Sequence, residues 1–245
     1  MALRVEFLKA VNSAVVLGSF SDDPAVVKGL NSLTMPVESR DMLTFSAFGT
    51  DFQTQEAGEG KRSAASFSGY ALLGDEEGQA ALEAAMVNQT KVKDVRFYFD
   101  TIGKHFRALD LANDPDGFFQ VSKAGPDGAA AKNDAYKFAG EMPCGGALKT
   151  FARHVTGTDI AFAGTGSKIT STNTDFVAAG FKPGRTLIIE YGADNAGYAT
   201  ITSVAAHEMV ISTITTVDSM TAVTTGVAVV DDAAGSAITL HGSTY

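Results

Sequence analysis

The sequence predicts a mainly β protein with one helix and a small all-β domain toward its C-terminal end. Three observations carry that reading. Apolar and polar residues alternate with period two in several segments from Ser63 onward. Thr, Ser, Val and Ile crowd the last third, and these residues suit a pleated, half-buried surface. There is no Trp, while 25 Gly supply the many turns that short strands need. With 45% apolar residues in 245 the chain can bury a sizeable core, and its length admits one large β-domain or two smaller ones.

Residues 1–46 mix short apolar runs with turn formers such as Asp22, Asp23, Pro24 and Gly29 and give the weakest signal. From Phe48 to Arg62, Gly49, Gly58 and Gly60 frame Asp51, Glu56 and Glu59 with little apolar content, the pattern of a long exposed loop. Such a loop is an entropic burden in a monomer and makes more sense when a neighbouring copy orders it. Ser63 to Leu72 alternates as a strand. After Gly74, Asp75 can cap a helix over 75–89, with Glu76 and Glu77 in its first turn and Leu82, Ala85 and Met86 on one face. Lys91 to Phe99 alternates again, with Val95, Phe97 and Phe99 on one side and Asp94, Arg96 and Tyr98 on the other. Phe118 to Lys123 and Ala135 to Glu141 read as two further strands, with Gly125-Pro126-Asp127-Gly128 as the turn between them.

Pro143 to Gly146 punctuates the chain, and beyond Arg153 charge thins while Thr and Ser rise. This composition shift divides the chain into residues 1–152 and 153–245. In the second part Thr186 to Tyr191, Tyr198 to Val204, Met209 to Ile214, Gly226 to Val230 and Ala237 to Leu240 are short strands. Turn formers such as Gly192, Asp194-Asn195 and His207-Glu208 separate them, as in a barrel or sandwich of about 80 residues.

The net charge of -9 and the lack of any basic run argue against a protein that clamps nucleic acid, and on charge alone the balance is equally that of an ordinary soluble bacterial protein. An acidic wall would instead let DNA slide past. A single cysteine, Cys144, allows no intrachain disulfide, as expected for assembly in a reducing cytoplasm. Met1 to Phe20 shows no signal peptide, and no apolar run reaches the roughly 18 to 20 residues needed to span a bilayer, so no membrane insertion is expected.

No catalytic, cofactor-binding or metal site emerges. His105, His154, His207 and His241 are far apart in sequence and none sits at metal-ligand spacing with Cys or another His. Cys144, beside Pro143 and Gly145, reads as a small residue in a turn. The run Gly164 to Lys168 is weakly similar to a phosphate loop, but it lacks the Gly-Lys-Ser/Thr ending and no helix follows. The pairs Asp22-Asp23, Glu76-Glu77 and Asp231-Asp232 read as solvated surface.

In this order the features resemble the tail tube proteins of long-tailed bacteriophages. Ser63 to Asp100, SAASFSGYALLGDEEGQAALEAAMVNQTKVKDVRFYFD, is similar to that family's strand, short Asp-led helix with a Leu-Glu-Ala-Ala core, and strand. The Phe118 to Gly146 hairpin continues the similarity, and Glu38 with the Gly-bounded loop matches the layout of the family's inter-ring loop. The second part, from Phe162 through Val230, is similar to a small module of some tail tube subunits. It has a Gly-Ser-x-Ile start, Phe176 with Gly180-Phe181-Lys182-Pro183-Gly184, Asn195-x-Gly197-Tyr198 and an Ile-Thr-x-Val strand. His207 and Glu208 in the following turn depart from that module.

The resemblance implies a tail-tube-type β-sandwich or barrel, with six subunits closing a ring and rings stacking into a tube. Closure across subunits removes sheet edges that would otherwise aggregate. The helix would flank the barrel, the second domain would sit outside, and genomic DNA would pass the lumen into the host without specific binding. Implied partners are further copies of the chain and the tape measure, tail terminator and tail tip proteins. The implied place is the virion tail, assembled in the host cytoplasm, and the implied role is structural, not enzymatic. Asp51, Glu56, Glu59, Lys61 and Arg62 become the inter-ring residues. Deleting Phe48 to Gly60 should then leave a folded subunit that does not polymerise, and removing everything after Arg153 should spare tubes. The competing reading is a monomeric β-rich surface or carbohydrate-binding module on the Thr-rich second part. A hydrolase would need a convergent polar pocket.

Overall fold

The computed structural model describes residues 13–17, 25–46, 53–72, 74–128, 134–163, 168–191, 195–214 and 237–245. In chain order the first strands are β1 (Ala14–Leu17), β2 (Ala25–Val26), β3 (Leu30–Thr34), β4 (Glu38–Ser46), β5 (Gln53–Arg62) and β6 (Ala65–Tyr70). Helix α1 (Gln79–Val87) follows, then β7 (Lys91–Val92), β8 (Val95–Asp100), β9 (His105–Leu109), β10 (Phe119–Gln120), β11 (Lys123–Asp127) and β12 (Lys137–Met142). The remainder are β13 (Leu148–Gly157), β14 (Ala161–Ala163), β15 (Lys168–Thr170), β16 (Thr186–Tyr191), β17 (Asn195–Val204), β18 (Glu208–Ile211) and β19 (Ile238–Ser243). The fold is mainly β with one helix among the described residues, as the sequence predicts. No sheet closes on itself among the described strands.

An 11-stranded antiparallel sheet runs β14-β15-β18-β17-β16-β19-β13-β9-β8-β1-β2 and so draws strands from both parts of the chain. A four-stranded sheet runs β11-β12-β6-β3, and β7-β10 and β4-β5 form two-stranded pairs. Two apolar clusters fill the interior. One gathers Val15, Phe67, Leu82, Phe97, Phe106 and Phe151 with Ile188 and Tyr198 from the second part. The other gathers Ile169, Phe176, Leu187, Ile189, Met209 and Leu240. Strand β16 is the wall between them: Leu187 and Ile189 face one cluster and Ile188 the other, which follows from the two-residue period of a strand. Strand β13 runs across positions 152 and 153, where composition changes.

Several local expectations shift. The helix begins at Gln79, not Asp75, and Gly78 is its cap. Asp75 instead ties the preceding turn, its Oδ2 accepting from the amides of Gln79 and Lys28 at 3.0 Å each. Glu76 and Glu77 lie exposed in that turn and outside the first helical turn. The apolar face is the one read from sequence, with Leu82 buried and Ala85 and Met86 packed against the first cluster. Gly125, Pro126 and Asp127 are not a turn but belong to β11, opposite Ala139, Phe138 and Lys137. Pro126 fits there because β11 is an edge strand, where a missing N–H costs no ladder bond. Gly226 to Val230 and the Gly164 to Ser167 run lie outside the described residues.

One glycine is required by close approach. Residues Leu30 and Ser32 of β3 pair with Gly69 and Ser68, so an extra residue bulges the strand. A Cβ on Gly69 would lie 2.0 Å from the Gly29 carbonyl oxygen and 2.7 Å from the Leu30 Cα. Both are backbone atoms that cannot swing aside. Gly69→Ala is expected to destabilise the protein by about 1–3 kcal/mol, measured as a lower urea midpoint with an unchanged slope.

Candidate assembly surface

Of the segment read as a loop, Gln53–Arg62 is a strand of a two-stranded ribbon, and residues 48–52 lie outside the described residues. Strand β4 pairs with β5 from Glu38↔Arg62 to Ser46↔Gln53, with one irregularity between Arg40 and Met42. Ten residues in β5 give a length of about 33 Å at the usual rise of a strand. The sequence hid this because β5, Gln-Thr-Gln-Glu-Ala-Gly-Glu-Gly-Lys-Arg, has no apolar alternation. The ribbon pairs with no third strand among the described residues. A two-stranded ribbon alone in water is marginal, and both its edges offer unpaired N–H and C=O groups.

The root of the ribbon is pinned to the body. Glu38 Oε1 accepts from Arg62 Nε at 3.0 Å and from the Leu148 amide at 3.4 Å, which joins the ribbon to β13. Arg107 of β9 donates to the Pro36 carbonyl through Nη1 and to the Tyr245 hydroxyl through Nη2 at 3.2 Å. Ser63 and Val37 exchange two bonds: the Ser63 amide donates to the Val37 carbonyl and the Val37 amide to Ser63 Oγ, each at 2.9 Å. Lys61 Nζ meets Asp41 Oδ2 at 2.5 Å, but both side chains are more than half exposed, so the pair is worth at most about 1 kcal/mol. An open cleft of about 330 Å³ at this root is lined by Glu38, Ser39, Arg40, Gly60, Lys61 and Arg62.

Of the five assembly residues named from sequence, Lys61 and Arg62 sit at the root, each in an ion pair across the ribbon. Glu56 lies on β5 opposite Leu43, and Glu59 lies on β5 within the irregularity between the Arg40↔Gly60 and Met42↔Ala57 pairs. Asp51 lies outside the described residues. Of the two pairing partners, Glu38 was noted from sequence beside the loop, whereas Asp41 escaped it because ribbon register, not local pattern, places it opposite Lys61.

A second polar constellation also escaped it. Arg96, placed by the strand period on the face opposite Val95 and Phe97, is 3% exposed. The large sheet curls until β8 and β16, with three strands between them, bring Arg96 Nη2 onto Glu190 Oε1. The guanidinium carbon lies 4.7 Å from the Phe106 ring centroid. His241 Nε2 contacts Glu190 Oε2 at 3.2 Å, and the His154 ring stacks on His241 at 5.0 Å. Burial works against ionised Glu190, yet the Arg96 charge and the His241 bond hold its carboxyl down at about 2. Burial lowers both histidines; His154 falls to about 4, helped by His241 beside it, and His241 falls although Glu190 opposes the fall. The available signal was a lone cation in Val-Arg-Phe-Tyr-Phe and a lone carboxylate in Leu-Ile-Ile-Glu-Tyr, each a charge in an apolar run that needs a partner.

Cys144 Sγ donates to the Gly146 carbonyl at 3.1 Å, and burial raises its pKa, which keeps it a thiol. His207 Nδ1 contacts the Thr174 carbonyl at 2.9 Å, and Glu208 pairs with Lys168 at 3.0 Å. Among the described residues no three His, Cys, Asp or Glu are grouped to hold a metal ion, and no helix is long and apolar enough to cross a membrane.

No family profile matches the chain, and no curated protein matches it. Several solved structures are similar to parts of it, three of which follow. A chain from the tail of an empty gene transfer agent particle, refined with C6 symmetry, is 14% identical with a TM-score of 0.40, covering 55% of this chain and 92% of that one. A chain from the virion of a native gene transfer agent particle is 14% identical with a TM-score of 0.41, covering 58% and 97%. A chain from the six-fold symmetrised baseplate of the anti-feeding prophage is 8% identical with a TM-score of 0.40, covering 61% and 97%. At these scores the similarity carries no argument about function by itself. The chain is thus distantly similar in structure to chains of a gene transfer agent tail, a gene transfer agent virion and an anti-feeding prophage baseplate.

Proposed function

We propose that this chain is a structural, non-enzymatic subunit of a phage-type tail, in which copies close six-membered rings and rings stack into a tube for DNA. The β4–β5 ribbon carries the reading. It is anchored at its root by Glu38, Arg62, Arg107 and Ser63, and it leaves two strand edges without a partner among the described residues. A second copy satisfies those edges at the least cost, because the same surface is present on every subunit. Asp51, Glu56, Glu59, Lys61 and Arg62 are the proposed inter-ring residues. The net charge of -9 suits a lumen that DNA traverses without sticking. Residues 153–245, with an apolar cluster of their own, are proposed to lie on the tube exterior. Tape measure, terminator and tip proteins are the further proposed partners, and the virion tail, assembled in the host cytoplasm, is the proposed location.

The test shortens the ribbon without touching its root. Replacing residues 44–55 by Asn-Gly closes a hairpin after Leu43 and before Glu56, which face each other. The wild-type chain at high concentration is expected to form rings or tubes in electron micrographs, and the shortened chain to stay a folded monomer of nearly unchanged melting temperature. Tubes from the shortened chain would remove the ribbon from the interface. A wild-type chain that sediments as a single small species at every concentration would favour the monomeric binding module instead.

A further inference from the structure

We infer that the stacked His154–His241 pair is an acid-sensitive latch: a proton gained by this pair loosens β19 and β16 from β13 and β8 of the same sheet. The inference stands apart from the tail reading, since it concerns the inside of one subunit. The two histidines oppose each other in the register of β13 and β19, with ring centroids 5.0 Å apart. Every element packed here contributes to their surroundings. From β16 comes Glu190, in contact with His241 Nε2; from β8 comes Arg96, bound to the same carboxylate; from β9 comes the Phe106 ring, 5.1 Å from His241. Lys104, just before β9, and His105, its first residue, add positive or titratable charge that disfavours a proton on His154. Thr156 of β13 contacts His154 Nε2 at 3.3 Å.

The arrangement has one anion and no spare acceptor. With both imidazoles neutral, Arg96 and Glu190 balance. His241 Nδ1 and His154 Nδ1 are buried and make no hydrogen bond. A proton added at either Nδ1 therefore points at no acceptor, and it puts a second cation beside a carboxylate already shared with Arg96. A buried donor left unpaired and a buried like-charge contact both favour the opened, hydrated seam. The sign is fixed by linkage: histidines lowered in the fold bind protons less readily than in the opened state. The latch is closed above about pH 6.5, and opening grows as pH falls toward about 4.

The test uses a His105→Asn/His207→Asn background, so that only these two imidazoles titrate. Their C2 protons are followed by NMR, and amide hydrogen exchange, corrected for intrinsic rates, is compared at about pH 7 and about pH 4.5. Both midpoints are expected below the ordinary histidine value. Amides of 186–191 and 238–243 are expected to open about tenfold more at the lower pH, while those of β3, β6 and β12 hold. His154→Gln/His241→Gln in the same background is expected to remove the tenfold change. Ordinary midpoints with flat protection would overturn the latch, as would a tenfold change that survives in the glutamine variant. Equal loosening of every sheet would also overturn it, because general acid unfolding would then suffice. If the glutamine variant does not fold, the site-resolved titration and exchange of the histidine-bearing chain decide the matter alone.

Discussion

Replacing Arg96 with methionine is expected to lower the free energy of unfolding by about 3–5 kcal/mol, the scale for removing one partner of a buried ion pair. Most of that loss is the cost of leaving Glu190 without its cation. The carboxylate is about one-quarter exposed, too little for water to replace the guanidinium. The double variant Arg96→Met/Glu190→Leu removes the stranded charge as well and is expected to recover most of the stability. A urea-denaturation cycle with the two single variants and the double variant measures the coupling directly. A loss below about 1 kcal/mol in Arg96→Met would show that water reaches the pair and that β8 and β16 are not closed against each other.

A chain ended after Arg153 is expected to lose its native fold. The truncation takes away β19, which pairs with β13, and strips Ile188 and Tyr198 from the cluster built on Phe97, Phe106 and Phe151. It also leaves Arg96 buried without Glu190. Losing that much apolar packing and one ion-pair partner together exceeds the marginal stability of a domain this size. Composition alone suggests the opposite, that an exterior domain can be cut away and tubes still form. Solubility, near-ultraviolet circular dichroism and limited proteolysis of the truncated chain separate the two. A soluble, protease-resistant fragment that still assembles would establish the second part as a removable decoration.

What was legible in the sequence was whatever a local pattern encodes. Strand β16 stands at the residues read from sequence, because Thr-Leu-Ile-Ile-Glu-Tyr is an apolar run between turn formers. Strand β6 and the apolar face of α1 were legible for the same reason, period two in one and period near 3.6 in the other. The features that failed depend on distant residues. Strand β5 holds through partners in β4, with Arg62 reaching Glu38 across 24 positions. Arg96 is buried by a residue 94 positions away. Pro126 and its glycine neighbour look like a turn unless β11 is known to be an edge strand. A glycine-bounded acidic stretch beside Glu38 marked where the ribbon lies, but its strand character and the pairing of Lys61 with Asp41 needed the register.

Strand β19 lies between β13 and β16 in the middle of the largest sheet, and Thr156 meets Thr239 at 3.0 Å across 83 positions of chain. During synthesis β13 and β16 emerge well before the piece that joins them. The sheet must wait, with a strand-wide slot open, until that piece arrives. Folding of the subunit should therefore be slow for its size, with its last step set by a long-range insertion instead of local pairing. A nascent chain in that waiting state is also a poor building block, because the wall that carries Glu190 is not yet seated.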